Sequence, residues 1–254
     1  MSSASLTDWP YPRWIAHRGA GLLAPENTLT AFRLGAQHGY RMFECDAKLS
    51  ADEVVFLLHD DRLDRTSSGT GNAGDVLWRD LSLLDAGAWH SPAYAGEPLC
   101  TLEALAHFCI ANQYALNIEI KPTPGLEHRT GVCVATLVER LWQGQALQPL
   151  LTSFKQDALQ GAQEAAPTLR RGLLLSDWKD DSLTVAQRLS CVALVCNHTL
   201  WDTSRVQAAK ALGLTTLSYT VNDLQIAEHL QALGTDGIIT DRVDLFSPES
   251  PWQA

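Results

Sequence analysis

Two short segments put carboxylates where a strand would otherwise be apolar. In "RMFECDAKLSADEVVFLLHD", residues 41–60, Glu44 and Asp46 interrupt one buried-type run, and the next run ends on His59 and Asp60. In "NIEIKP", residues 117–122, Glu119 and Lys121 repeat the same spacing. Residues i and i+2 of a strand share a face, so Glu44 and Asp46 project together with Cys45 opposite, and Glu119 pairs with Lys121 in the same way. Like charges held side by side raise each other's pKa unless something positive lies between them. Three carboxylates from two strands can surround one hard divalent cation, Mg²⁺ or Ca²⁺, which takes oxygen ligands. The alternative is a metal-free cluster in which Arg18 and Lys121 neutralise the acids. The cost of burying carboxylates without a cation favours the metal. His17 and His59 reach the same neighbourhood by separate routes, and paired imidazoles suit acid–base work near neutral pH. No HxH or HExxH spacing points to zinc. Arg18 and Lys121 also offer cationic donors to a phosphate, whereas Gly69, Gly71 and Gly74 lack the phosphate-loop pattern and read as turn formers.

These side chains need a scaffold that delivers them to one place. Short apolar runs at 14–17, 42–47, 115–121, 150–154, 171–175, 192–196, 215–221 and 237–240 read as eight strands. Amphipathic stretches such as "NTLTAFRLGAQHG", "TLEALAHFCIAN" and "DLQIAEHLQALG" lie between them and close on Gly39, Asn112 and Gly234. In the last stretch Leu224, Ala227, Leu230 and Leu233 form one apolar face at helical spacing. Eight strands with helical crossovers predict an α/β fold, a TIM-type (β/α)8 barrel. The run at 54–58 breaks the pattern. Only "SADE" precedes it, too short for a parallel crossover of roughly a dozen residues, so it must return antiparallel as a hairpin above the C-terminal rim. That hairpin brings His59 back to the level of Glu44 and Asp46. Residues 61–100, rich in Gly, Ser and Asp with a short helical piece near "WRDLSLLD", read as an insertion over the rim that shapes the substrate pocket.

In a TIM barrel the chemistry sits at the C-terminal strand ends. Here those ends carry His17 and Arg18, Glu44 and Asp46, Glu119 and Lys121, Ser153, Asn197 and His198, Tyr219 and Asn222, then Thr240 and Asp241. This convergence is the main bottom-up signal. His198 holds a rim position without an assigned role; His38, His90, His107, His128 and His229 read as surface residues. Trp89 and Tyr94 can either line the pocket or pack within their loop.

The chain of 254 residues, 46% hydrophobic and 19% charged, suits one large domain. Its net charge of −10 disfavours nucleic acid and anionic membranes as partners. The opening "MSSASLTDWPYPRW" lacks the charged and apolar regions of a secretory leader, and no apolar run approaches the ~18 residues of a membrane span. The six cysteines form no CxxC pair and sit mostly in apolar segments, which predicts reduced, buried thiols and a cytoplasmic protein.

Taken in order, "AHRGA…APENTLTAF", "FECDAKLSADEVVFLLHDDRLDRTSSGTG", "PLCTLEAL", "NIEIKP", "SF", "YTVN" and "DGIITD" resemble the glycerophosphodiester phosphodiesterase family, in particular its cytosolic bacterial branch. The blocks run from about residue 13 to residue 244. The resemblance implies a distorted TIM barrel of the phospholipase-C-like phosphodiesterase type, one domain over 13–246 with its insertion at 61–100. It implies one divalent cation, Mg²⁺ or Ca²⁺, and hydrolysis of small glycerophosphodiesters to sn-glycerol 3-phosphate and an alcohol. It makes His17 and His59 the acid/base pair, Arg18 and Lys121 phosphate contacts, and Glu44, Asp46 and Glu119 metal ligands. It also gives Glu26, in "PENT", a supporting hydrogen bond. Where the family often carries tryptophan near the end of the last-but-one strand, this chain has Tyr219, which keeps an aromatic wall and alters its substrate contacts. Three other readings compete. An enzyme acting on intact lipids needs an apolar or basic face, which the charge argues against. A non-catalytic binding barrel would have lost a histidine or a metal ligand. A Schiff-base aldolase would need an unprotonated Lys121, and the neighbouring acids oppose that.

Overall fold

The structure, a computed structural model, describes residues 9–249; residues 1–8, which carry most of the argument against a leader, lie outside the described residues. Among the described residues nine strands form one sheet. They are β1 (Trp14–Ala16), β2 (Met42–Leu49), β3 (Val55–Leu57), β4 (Ala115–Ile120), β5 (Leu150–Ser153), β6 (Arg170–Leu175), β7 (Ala193–Asn197), β8 (Thr215–Tyr219) and β9 (Gly237–Thr240). Eight of them are parallel, in the order β1-β9-β8-β7-β6-β5-β4-β2, and the pairing of β1 with β2 closes the ring. The expected (β/α)8 barrel is present. The remaining strand, β3, runs antiparallel to β2 through Ala47↔Leu57, Lys48↔Phe56 and Leu49↔Val55, so the hairpin inferred from the short "SADE" connection is also present.

Helices α1 (Leu29–Gln37), α2 (Trp78–Leu81), α3 (Leu102–Asn112), α4 (Glu127–Leu141), α5 (Gln156–Ala165), α6 (Ser182–Arg188), α7 (Thr203–Ala211) and α8 (Leu224–Leu233) complete the fold; α2 belongs to the insertion and the rest form the outer ring. Their ends follow local chemistry. Thr28, Thr101, Asp202 and Asp223 accept backbone N–H groups at the starts of α1, α3, α7 and α8. Gly234 ends α8 in the left-handed conformation, as its sequence suggests, whereas α3 is ended by Gln113 at φ +57°, where no glycine is available.

The alternation of strand side chains sorts the core into layers. The floor of the barrel is apolar, with Ile15, Met42, Ala115, Leu150, Leu174, Val195, Leu217 and Ile239 contributing one side chain from each parallel strand. Facing outward from β2, Phe43, Cys45 and Ala47 pack under α1, α3 and α4. Burial of this kind stabilises by roughly 1.5–3 kcal/mol for each large side chain. The closest approach is that of α1 to the loop after β1: a Cβ on Gly35 would collide with the carbonyl oxygen of Gly19, so any side chain there would push α1 away from His17 and Arg18. All six cysteines are free and five are buried, as expected for structural thiols.

The insertion has a small core of its own, in which Phe56, Leu58, Leu63, Ala73, Leu81, Ala86 and Leu99 pack against the hairpin. Asp85 holds its outer loop by accepting the N–H groups of Gly87, Ala88 and Gly96 at 2.7, 2.8 and 2.8 Å. Its return strand is pinned by the Leu57 N–H to the Cys100 carbonyl at 2.8 Å. Trp89 and Tyr94 serve the packing: the Trp89 indole donates to Ala86 and the Tyr94 hydroxyl to the Leu23 carbonyl.

Candidate active site

The rim residues converge as the alternation demands. Glu44 and Asp46 of β2 and Glu119 of β4 present carboxylate oxygens that all lie within 4.8 Å of one another. They arise from adjacent strands in register, Asp46↔Glu119 and Glu44↔Asn117. Asp46 is fully buried, and Asn27 fixes it by donating from Nδ2 to Oδ2 at 2.8 Å and accepting its backbone N–H at 3.1 Å. Glu44 Oε1 and Asp46 Oδ1 are buried and make no hydrogen bond. An orphaned carboxylate oxygen is costly in a protein interior, so two of them facing a third carboxylate form a donor set that fits a hard divalent cation. Glu44, Asp46 and Glu119 would hold it.

The electrostatics agree. Burial first, and then Asp46 and Glu119, push the Glu44 carboxyl well above the usual carboxylate range. Burial and Asp46 likewise raise Glu119, to about 7. Asp46 goes the other way. Burial opposes its ionisation, but Arg18, Lys121 and His59 together outweigh that and hold it below its ordinary value. The three acids therefore share too little positive charge among the protein's own groups.

Two imidazoles flank this cluster. His17 follows β1, and its Nδ1 lies 2.6 Å from Asp241 Oδ1, while Nε2 lies 3.8 Å from Glu44 Oε2. Asp241 is fixed in turn by Asn222, which donates to its Oδ2 at 2.9 Å and accepts its backbone N–H at 2.8 Å. His59 follows β3, with Nδ1 2.7 Å from Asp60 Oδ1. An ionised carboxylate only accepts, so in both cases Nδ1 carries the proton and Nε2 is left for the cavity. Burial lowers the His59 pKa, against the pull of Asp46.

The cations stand between the acids. Arg18 donates its backbone N–H to Glu44 Oε2 at 3.1 Å, Nε lies 3.1 Å from Asp46 Oδ2, and Nη1 donates to Glu26 Oε1 at 2.9 Å. To do this Arg18 adopts φ +50°, a left-handed conformation that costs a non-glycine residue about 1–2 kcal/mol and is found where function fixes the backbone. Lys121 Nζ lies 2.9 Å from Glu119 Oε1 and 3.8 Å from Asp46 Oδ1, and 5.6 Å from the centroid of the Phe154 ring. Tyr219 commits its hydroxyl to the Leu175 carbonyl at 3.0 Å and sets its ring edge-on to Phe154, which leaves the ring itself as a wall. These groups enclose a cavity of about 140 Å³ lined by His17, Arg18, Glu44, His59, Lys121 and Tyr219, among others. A more open cavity of about 420 Å³ adjoins it past His59, Lys121 and Phe154. Every candidate site residue read from the sequence lines the first cavity or, like Asp46, bonds to a residue that does. His198 lines neither cavity. Sequence reasoning missed Phe154, and it left Asp241 and Asn222 as rim residues without a role.

A family model described as the glycerophosphoryl diester phosphodiesterase family matches residues 17–245, the stretch that carries all of these groups. The chain belongs to that family. It is accordingly a phosphoric diester hydrolase by class, and its relatives extend over nearly the whole length. A phosphodiesterase from Oleispira antarctica, solved in complex with the product sn-glycerol 3-phosphate, superposes with a TM-score of 0.87 at 33% identity, covering 91% of this chain and 93% of its own. A glycerophosphodiester phosphodiesterase from Agrobacterium tumefaciens superposes at 0.78 with 30% identity, covering 93% and 99%. A glycerophosphodiester phosphodiesterase of Caldanaerobacter subterraneus is 29% identical over 231 residues, spanning 89% of this chain and 93% of the relative.

Proposed function

We propose that this protein hydrolyses small glycerophosphodiesters to sn-glycerol 3-phosphate and an alcohol at the rim cavity, with one divalent cation, Mg²⁺ or Ca²⁺, held by Glu44, Asp46 and Glu119. The observation that carries the reading is the set of three facing carboxylates, two of them with an orphaned oxygen, flanked by two histidines whose Nδ1 atoms are each fixed by a carboxylate. The product named for the Oleispira relative supports the same substrate class.

A bound cation would supply Lewis acidity at a non-bridging phosphoryl oxygen. Arg18 and Lys121 hold the remaining negative charge of the phosphate, and Tyr219 walls the substrate on the far side. The ring of His59, kept neutral by burial, takes the proton from the attacking oxygen, which is water or the substrate's 2-hydroxyl. As that oxygen bonds to phosphorus, the bond to the alcohol breaks, and His17, which enters this step as the imidazolium with a proton on each ring nitrogen, gives its Nε2 proton to the departing alkoxide. Asp241 and Asp60 each hold an Nδ1–H, so that Nε2 is the atom that gives the proton in His17 and takes it in His59. Residues 13–246 act as a single domain in this reading, with the insertion part of the site. The net charge of −10 supports a small-molecule substrate over nucleic acid or stable membrane association, and the free, mostly buried cysteines support the cytoplasm. Among the described residues no helix is long and apolar enough to cross a membrane.

The test is release of glycerol 3-phosphate from glycerophosphocholine and glycerophosphoethanolamine in Mg²⁺, in Ca²⁺ and in EDTA. Cation-dependent release is the expected result. No release from folded protein under any of these conditions would put a binding barrel or a lipid-acting enzyme in its place.

A further inference from the structure

The insertion does more than border the cavity. Arg65, in "DDRLDRT", spreads one guanidinium over two carboxylates. Its Nε lies 2.7 Å from Asp60 Oδ2 and its Nη2 2.9 Å from Asp60 Oδ1. On its other edge Nη1 and Nη2 each reach an oxygen of Glu26 at 2.8 Å. Both carboxylates have a second task. Asp60 accepts from His59 Nδ1, and Glu26 accepts from Arg18 Nη1. A single side chain therefore ties the histidine delivered by the hairpin to the arginine delivered by the loop after β1, 39 residues apart at the Glu26 end.

We propose that Arg65 is a positioning residue for this reaction: it clamps Asp60 and Glu26 so that His59 and Arg18 hold a fixed separation across the cavity. The inference rests on the roles given to His59 and Arg18 above. Three facts favour a positioning role over an ordinary surface ion pair. Both contacts are bidentate, the geometry that makes a guanidinium directional and that lysine cannot copy. Each partner shares an oxygen that Arg65 holds with a group that lines the cavity: Asp60 Oδ1 also meets His59 Nδ1, and Glu26 Oε1 also meets Arg18 Nη1. The backbone that carries Arg65 is itself anchored: Leu63 is buried in the insertion's core, its N–H bonds to the Gly71 carbonyl at 2.9 Å, and Thr66 is buried beside it. Isolated ion pairs of this exposure add little stability, so the effect is expected in geometry and rate rather than in folding. Misplacing a reacting group by about 1 Å can cost ~10²-fold in rate.

The experiment measures kcat and KM for glycerophosphocholine hydrolysis by wild type, Arg65→Ala, Arg65→Lys, His59→Ala and the Arg65→Ala/His59→Ala double variant, with thermal melts alongside. Arg65→Ala is expected to lower kcat by ~10-fold or more with a smaller change in KM. Arg65→Lys is expected to recover only part of that. In the His59→Ala background the same Arg65→Ala change is expected to cost less than ~3-fold, because the separation it fixes has lost one of its two ends and only the hold on Arg18 remains. An undiminished loss in both backgrounds would assign Arg65 a general structural role and overturn the proposal, as would wild-type kcat in Arg65→Ala. If Arg65→Ala does not fold, the Lys variant and its His59→Ala double carry the same comparison. Should the wild type be inactive, or His59→Ala fully active, the reading of the site fails instead, and the two failures are told apart.

Discussion

His17 leaves β1 at the seam where the barrel closes, and its carboxylate, Asp241, lies 224 residues away, just past β9. His59 leaves the hairpin, and its carboxylate is the next residue, Asp60. The imidazole–carboxylate contacts are nearly equal, at 2.6 and 2.7 Å, yet the surroundings differ. The His17 side chain is 16% exposed and its partner is locked by Asn222 within the barrel framework. The His59 side chain is 33% exposed, and nothing in the hairpin itself fixes Asp60; that falls to Arg65 and the insertion. A pair of neighbours in sequence is easily formed but carries no information about where it points. A pair joined across the barrel is costly to assemble and, once made, is already oriented. The same dyad has been built once by the fold and once by an addition to it.

The predictions bear on this contrast in falling order of size. Largest is the loss from what the two dyads share. Chelation by EDTA, or Asp46→Ala, is expected to lower glycerol 3-phosphate release by ~10³ or more, since a bound cation contributes several kcal/mol of charge stabilisation. Turnover that survives both would detach the acid cluster from the chemistry. Next, His17→Ala and His59→Ala should each lower kcat by ~10² or more, and steady-state rates close to wild type in either variant would remove that histidine. The carboxylates then separate the two dyads. An amide can donate as well as accept and so releases the tautomer. Asp241→Asn is expected to cost ~10² in kcat and Asp60→Asn ~10-fold, because Arg65 and solvent still constrain the second site. Equal losses would mean that long-range anchoring confers no advantage.

The smallest effect is on stability and has a definite sign. In the metal-free protein Glu119 titrates at about 7, above its ordinary value. The folded state then binds the extra proton, so stability is higher below the ordinary carboxylate range and falls as pH rises to about 7. Ionised Glu119 is the form a cation needs, so cation affinity should rise over the same interval. Melts of metal-free wild type and Glu119→Gln at pH 5.5 and 8 check this. The wild type should lose more Tm between the two than the variant, by roughly a few degrees; parallel behaviour would show that Glu119 does not carry a raised pKa.

Much of this was legible in the chain. The i, i+2 spacing of Glu44/Asp46 and Glu119/Lys121, and the four-residue link before the run at 54–58, were enough to place the acids on one face and to fold the hairpin back. Strand periodicity made the barrel legible, with boundaries one or two residues off: β4 ends at Ile120 and leaves Lys121 just beyond the strand, while β8 ends at Tyr219. What could not be read were the second partners. Arg65 meets Glu26, Asn222 meets Asp241, and buried Lys48 meets Asp61 at 2.8 Å, through loops whose paths follow no periodicity. Asp60 stood beside His59 in plain view, but adjacency says nothing about a hydrogen bond until the χ angles are known. Phe154 was hidden by its type, since one aromatic residue after a strand is ordinary core material until Lys121 lies over it.

The seam has a consequence for how the enzyme comes into being. His17, Arg18, Glu44, Asp46, His59 and Glu119 all lie in the first half of the chain, and Asp241 comes 122 residues after Glu119 (241 − 119). Gly21, at φ +54°, lies so close to the Asp241 backbone that no side chain fits between them, and the Leu22 N–H bonds to the Asp241 carbonyl at 3.2 Å. During synthesis the ribosome can release nearly every group of the proposed site into water while His17 still lacks the carboxylate that holds its Nδ1. On the chemistry proposed above, turnover would arrive only with the last strand, as a signal that the ring is shut. On gentle denaturation the order should reverse: a chain that frays at β9 falls silent while most of its helices are still wound.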